Sequence, residues 1–170
     1  MKLEELEYSI PTGWSKAFGQ MLVDEINSIA EDSHVVDAKE KFGELRITIA
    51  VGNNDNYFER NQEVDWDEIN RITDKYKVLS RNICIGCGKP DVYVVDTAWI
   101  YPCCKDCFKK NISSVKKYED VICDDGVMAD SYKINRWSDD GYEQVEFDVF
   151  ETAKKIRDRW AKRCAENDKD

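Results

Sequence analysis

The residues with the clearest chemistry are cysteines. Cys84-Ile85-Gly86-Cys87 and Cys104-Lys105-Asp106-Cys107 are two C-x2-C pairs separated by sixteen residues. Each pair can fold into a tight knuckle whose sulfurs supply half of a tetrahedron, so four thiolates at this spacing point to one structural Zn2+ per chain. Gly88, directly after Cys87, suits the positive φ such a turn asks for. Catalytic zinc keeps an open position and usually includes histidine or carboxylate; four cysteines close the coordination sphere. Cys103 stands beside the second pair and could replace Cys104, but the three-residue step to Cys107 favours Cys104. A redox role for one C-x2-C is the competing reading. Two pairs flanking a hairpin-length insert favour zinc.

Other chemistry is sparse, and no catalytic residue is assigned. His34 is the sole histidine, sits in a polar stretch without a nearby Ser or Cys partner, and is expected to be a solvated loop residue. There is no phosphate-cradling glycine loop and no nucleophile elbow. Cys123 and Cys164 fall in apolar patterns and are expected to be buried small hydrophobes. Carboxylates are so abundant that any pair of them carries no information, and an enzyme built on distant carboxylates is not visible here.

Charge points outward, toward partners. Thirty-five acidic residues face twenty-five basic ones, a net charge of −10, which argues against general nucleic-acid binding. Between Glu119 and Asp148 there are ten acidic and two basic residues. The default for such a stretch is a solvated surface. The functional reading is a face for a basic partner: Asp120, Asp124, Asp125, Asp130, Asp139 and Asp140 space negative charge as a row of phosphates does, with Tyr132 and Trp137 as aromatic anchors. The competing reading is a nucleic-acid-binding ribbon using Lys89, Lys105, Lys109, Lys110, Lys116 and Lys117. An odd count of seven cysteines, and the charged start Met1 to Glu7, fit a reducing, cytoplasmic setting. No run approaches the roughly 18 apolar residues of a membrane span.

Elements must position these groups. Trp14, Phe18, Met21, Leu22, Ile26 and Ile29 recur at helical spacing after the turn Pro11-Thr12-Gly13. Residues 35–39 and 45–51 read as two strands joined through Gly43. Asp65 as N-cap with Glu68, and Val64 against Ile69, open a second helix that runs into the first knuckle. Val92 to Val95 and Trp99 to Tyr101 make the hairpin between the knuckles, and a short helix follows Cys107. Runs at 121–123, 131–137 and 144–147, broken by Asp-Gly pairs, predict a small meander. A last helix starts near Asp148, with Phe150, Ala153, Ile156, Trp160 and Cys164 as its apolar stripe. The fold class is therefore α+β: helix, β-hairpin, helix, an inserted four-cysteine zinc ribbon, a β-meander and a C-terminal helix. Three parts, 1–83, 84–111 and 112–170, are expected to form one compact unit.

Lys39-Glu40-Lys41-Phe42-Gly43-Glu44-Leu45-Arg46, the aromatic helix before it, and the knuckles with Trp99-Ile100 between them resemble a group of small bacteriophage and prophage proteins. That group has a "KEKFGGLR" box followed by a four-cysteine zinc ribbon. The resemblance covers about residues 14–107; Glu44 replaces a usual glycine, and Cys103 is extra. It implies a phage-type gene, the cytoplasm of a bacterial host and a small α+β fold, and it transfers no catalytic residue. Lys41-Phe42-Gly43 is read as a tight turn packed on the first helix. The expectation is a non-enzymatic protein that binds a host protein, without contact to a membrane.

Overall fold

The computed structural model describes residues 1–52, 64–111, 116–123, 126–138 and 141–167. Helical elements open the chain: α1 (Leu3–Glu7), α2 (Thr12–Trp14), a π-helical turn (Ser15–Gly19) and α3 (Gln20–Ile29). Trp14, Phe18, Leu22 and Ile26 repeat on one face, and all four are buried. Phe18 stacks on Tyr76 at 5.2 Å between ring centroids and on Trp14 at 6.4 Å. Each such ring contributes roughly 1.5–3 kcal/mol by burial.

Strands β1 (Ser33–Lys41) and β2 (Glu44–Val51) pair antiparallel, with a register shift between Val35 and Asp37. The turn joining them is two residues long, and both have positive φ: Phe42 at 55° and Gly43 at 79°. That is the primed hairpin turn, whose twist matches the strands. His34 lies within β1 opposite Ala50 and is half-buried, not in a loop. The strand's first residues simply extend further back than their polarity suggested.

Helix α4 (Trp66–Ser80) begins as its capping pattern predicts: the Asp65 carboxylate accepts the Glu68 N–H at 2.9 Å. Such a cap is worth about 1 kcal/mol. Ile69, Ile72, Tyr76 and Leu79 face inward. Lys75, though buried, is paired with Glu25 of α3, which also accepts the Tyr76 hydroxyl at 2.9 Å. A buried ammonium without that carboxylate would be costly.

The insert carries β3 (Val94–Asp96), β4 (Ile100–Pro102), α5 (Lys105–Asn111) and a 3-10 turn (Tyr118–Asp120). It has its own small core of Cys84, Val92, Val95, Cys103, Cys104, Phe108, Tyr118 and Val121. The run 121–123 pairs here rather than in the meander: Ile122 bridges Val95, and the Cys123 N–H reaches the Val94 carbonyl at 2.9 Å. Val121 then points into the ribbon core, and alternation leaves Cys123 exposed instead of buried.

Strands β5 (Ser131–Ser138) and β6 (Gly141–Asp148) form a third antiparallel pair, followed by α6 (Phe150–Asn167). The Asp148 carboxylate accepts the Phe150 N–H at 3.0 Å, so the cap acts one residue earlier than the Asp148–Glu151 pairing implied. Phe150 accordingly points outward, while Ala153 and Ile156 join Met128, Phe147 and Val149 in the main core with Trp14 and Tyr76. The architecture is the α+β order expected, with the first run of the meander transferred to the ribbon. Among the described residues no helix is long and apolar enough to cross a membrane.

Candidate metal centre

The end of α4 delivers the chain into the first knuckle, and backbone hydrogen bonds shape it. The Cys84 N–H donates to the Lys89 carbonyl (2.9 Å), and the Gly88 N–H to the Cys84 carbonyl (2.9 Å), with Gly88 at φ 82°. The second knuckle starts α5: the Phe108 N–H donates to the Cys104 carbonyl (2.9 Å), and the Cys107 N–H points at the Cys104 sulfur (3.4 Å). The knuckles are joined by the Ile85 N–H to the Pro102 carbonyl at 3.1 Å.

This framework brings the sulfurs of Cys84, Cys87, Cys104 and Cys107 within 4.8 Å of one another. Cys87 and Cys104 sulfurs are 3.7 Å apart. A zinc ion held at about 2.3 Å by four sulfurs needs tetrahedron edges of about 3.8 Å. The donor set and its spacing therefore fit a four-sulfur zinc site. All seven cysteines are unbridged.

Hydrogen bonds from Cys103, Cys104 and Cys87 lower the Cys84 thiol from its ordinary range. Contacts with Cys104 and Cys84 push Cys87 the other way, and burial raises Cys107 to about 12. One negative sulfur is tolerated; four are not until a dication balances them. Cys103 lies outside the quartet. It is buried, is hydrogen-bonded to the Cys84 sulfur and also donates to the Cys104 carbonyl at 3.4 Å. Tyr118 caps it, donating its hydroxyl to the Cys103 carbonyl at 2.5 Å.

The centre is built into the main fold and does not hang from it. Gly13 of α2 donates its N–H to the Ile85 carbonyl at 2.8 Å, and the Trp14 indole N–H donates to the Ile83 carbonyl at 2.8 Å. A methyl group on Gly13 would stand 2.1 Å from the Cys84 oxygen. From the opposite side, Arg163 of α6 donates to the Cys87 carbonyl at 3.0 Å. Asp91, just past the first knuckle, accepts two bonds from Arg157 at 2.9 Å and the Met128 N–H at 2.9 Å. Burial alone would raise the Asp91 carboxyl, but these donors hold it below the usual carboxylate range. Nothing in the linear pattern marked Gly13, Asp91 or Arg163 as supports of the knuckle.

The residues proposed as a partner face are more scattered. Asp120 and Asp130 are exposed, on the 3-10 turn side and before β5 respectively. Tyr132 is half-buried, donating its hydroxyl to Asn82 (3.1 Å) and accepting the Ala129 N–H (3.1 Å). Asp124, Asp125, Asp139, Asp140 and the Trp137 side chain lie outside the described residues. The Lys41-Phe42-Gly43 turn does not pack on the first helix. Gly43 lies against Tyr101 and Pro102, and Phe42 is 68% exposed, because the turn aims its first residue away from the strands.

Compared with protein-family models, with curated proteins and with solved structures, the chain gives no match. What the geometry establishes by itself is a zinc-ribbon-like cluster of four cysteines able to hold a metal ion.

Proposed function

We propose that this chain is a non-enzymatic zinc-ribbon protein that acts by binding another protein. One observation supports the reading: four cysteine sulfurs lie within 4.8 Å of one another, and zinc taking all four has no position left for water or substrate. Zinc held there is scaffolding, and the work falls to surfaces. The partner is a basic protein, met through the acidic stretch from Glu119 to Asp148 with Asp120, Asp130 and Tyr132 among its contacts. In a phage-type setting it is a factor of the bacterial host, which the chain antagonises in the cytoplasm.

Nucleic-acid binding is the second reading, supported by Lys109 and Lys110 in the last turn of α5. It is weakened by the engagement of Lys105 with Glu119 and of Lys116 with the Thr97 carbonyl. The test exposes the tagged, zinc-loaded chain to bacterial lysate at low and high salt, and separately to bare duplex DNA. A protein retained at low salt and shed at high salt is expected. DNA binding of comparable strength, falling steeply with salt, would overturn the proposal in favour of the nucleic-acid reading.

A further inference from the structure

We infer that the groove between the β1–β2 turn and the β3–β4 turn is a docking site for a protein segment that presents an aliphatic side chain beside a lysine or arginine. The inference rests on the protein-binding reading above and assigns it a surface. The groove measures about 490 Å³ and is lined by Glu40, Lys41, Phe42, Asp96, Ala98, Trp99 and Ile100. Residues nearly sixty positions apart build it, so it exists only in the folded chain.

Its apolar walls are unusual in their exposure. Phe42 is 68% exposed and Trp99 65%, at the tips of two neighbouring hairpins, with Ile100 between them also open to solvent. Large apolar groups scattered singly need no explanation, but three around one concavity mark a contact site. The walls are also held in place. Glu40 accepts the Gly43 N–H at 2.6 Å with one carboxylate oxygen and the Trp99 indole N–H at 3.2 Å with the other. One side chain thus ties the two tips together and sets the Trp99 ring.

The backbone gives a second, independent sign. Among the described residues, three other than glycine have positive φ: Phe42, Asp91 and Ala98. Asp91 is the kind of residue that tolerates this region, and its side chain is fully bonded. Phe42 and Ala98 have no such compensation, and both line the groove. A hairpin turn of this type prefers asparagine, aspartate or glycine where Phe42 stands. Strain kept at an exposed aromatic is strain kept for a surface.

Charge selects the occupant. Glu40 and Asp96 place two carboxylates at the groove against the one ammonium of Lys41. The Lys41 ammonium is turned onto the Phe42 ring, 5.6 Å from its centroid, so its charge is directed to the ring and the two carboxylates set the sign of the groove. With a net charge of −10, the chain draws a basic segment and repels an acidic one.

The test uses the zinc-loaded full chain. Short random peptides on display are selected against it, and affinities of the enriched peptides are measured for wild type and for Phe42→Asn, Trp99→Ala and Asp96→Asn. Enriched sequences should join an aliphatic residue to Lys or Arg. Phe42→Asn and Trp99→Ala should each weaken binding by about tenfold or more, since central aromatic contacts dominate such sites. Asp96→Asn should weaken it less and flatten its salt dependence. Phe42→Asn should also melt at a higher temperature than wild type, a result that separates lost contact from lost fold. No enrichment, enrichment of peptides without a basic residue, or affinity unmoved by Phe42→Asn and Trp99→Ala would overturn the assignment. So would a dimer, seen by sedimentation, that Trp99→Ala dissolves, since a second copy would then be the occupant. Peptides that bind regardless of the groove variants would sink the groove while leaving protein binding intact; the DNA arm above tests that broader reading separately.

Discussion

Replacing Gly13 with alanine sets two elementary arguments against each other. Gly13 is the second residue of α2, with no positive φ to protect. Helix propensity alone says that alanine there stabilises by about 1 kcal/mol. The packing says the opposite. A Cβ would lie 2.1 Å from the Cys84 carbonyl oxygen and 2.7 Å from both the Gly88 nitrogen and the Ile85 carbonyl carbon, all of them backbone atoms. No side chain can swing away, so α2 and the first knuckle must separate by about an ångström, and the 2.8 Å bond from Gly13 N–H to the Ile85 carbonyl is lost. Overpacking costs about 1–3 kcal/mol, and the lost hydrogen bond adds about 1 kcal/mol. After the propensity gain, Gly13→Ala should destabilise by about 1–3 kcal/mol. For a domain of this size that lowers Tm by roughly 2–12 °C. Because the strain falls on the knuckle, zinc affinity should fall too; about 2 kcal/mol of it would be roughly thirtyfold. Thermal melts of the zinc-loaded proteins and competition against a chromogenic chelator read the two quantities. A variant that melts at or above wild type and keeps its zinc affinity would refute the close approach of α2 to the metal centre.

Chelation should strip one zinc per chain and abolish cooperative melting, because a structural zinc contributes about 10 kcal/mol or more and so rivals the whole stability of a domain; an unchanged melt would refute a structural metal. Cys84→Ser, Cys87→Ser, Cys104→Ser and Cys107→Ser should each lose the metal by elemental analysis, whereas Cys103→Ser should keep it and melt only slightly lower, the reverse result reassigning the ligand set. Asp91→Asn keeps a residue suited to φ 55° but weakens the bidentate bond to Arg157, at a cost of about 1–2 kcal/mol at neutral pH. Since the folded carboxyl titrates below its ordinary value, the wild-type advantage is complete above about pH 4 and is lost as pH falls through the folded pKa. The gap in Tm between wild type and variant should close on acidification, and a gap that widens would contradict the pairing.

Legibility in the linear chain followed the range of each interaction. The quartet of cysteines, the Asp65 cap and the primed turn at Gly43 are written within a few residues, where chemistry and spacing act directly. Val121-Ile122-Cys123 read correctly as extended, but an extended run does not name its partner. Its pairing with β3 was settled by Val121 finding room beside Tyr118 and Phe108 in the ribbon core. Gly13 and Gly88 illustrate the harder case. Gly88 reads correctly as a positive-φ turn glycine, but a Cβ on either residue would also meet the other's backbone, and a contact made of missing side chains leaves no pattern to read. Lys41-Phe42-Gly43 reads as a tight turn packed on the first helix because apolar and glycine positions usually serve the fold; the turn's own geometry points Phe42 out.

The metal and the groove are connected by that same geometry. Strand β4 ends at Pro102, two residues before Cys104, and the hairpin it makes with β3 carries Trp99 at its tip. Its ladder is three residue pairs long, Val94 with Pro102, Val95 with Tyr101 and Asp96 with Ile100. A two-stranded ribbon so short is unstable by itself. The ribbon core is too small to compensate, and four of the residues most central to the site are the sulfurs themselves. A metal held by the four cysteines would clamp the base of the hairpin and set the direction of its tip, where Glu40 accepts the Trp99 indole N–H at 3.2 Å. On the proposed reading, the role of that metal is to hold the exposed indole in position.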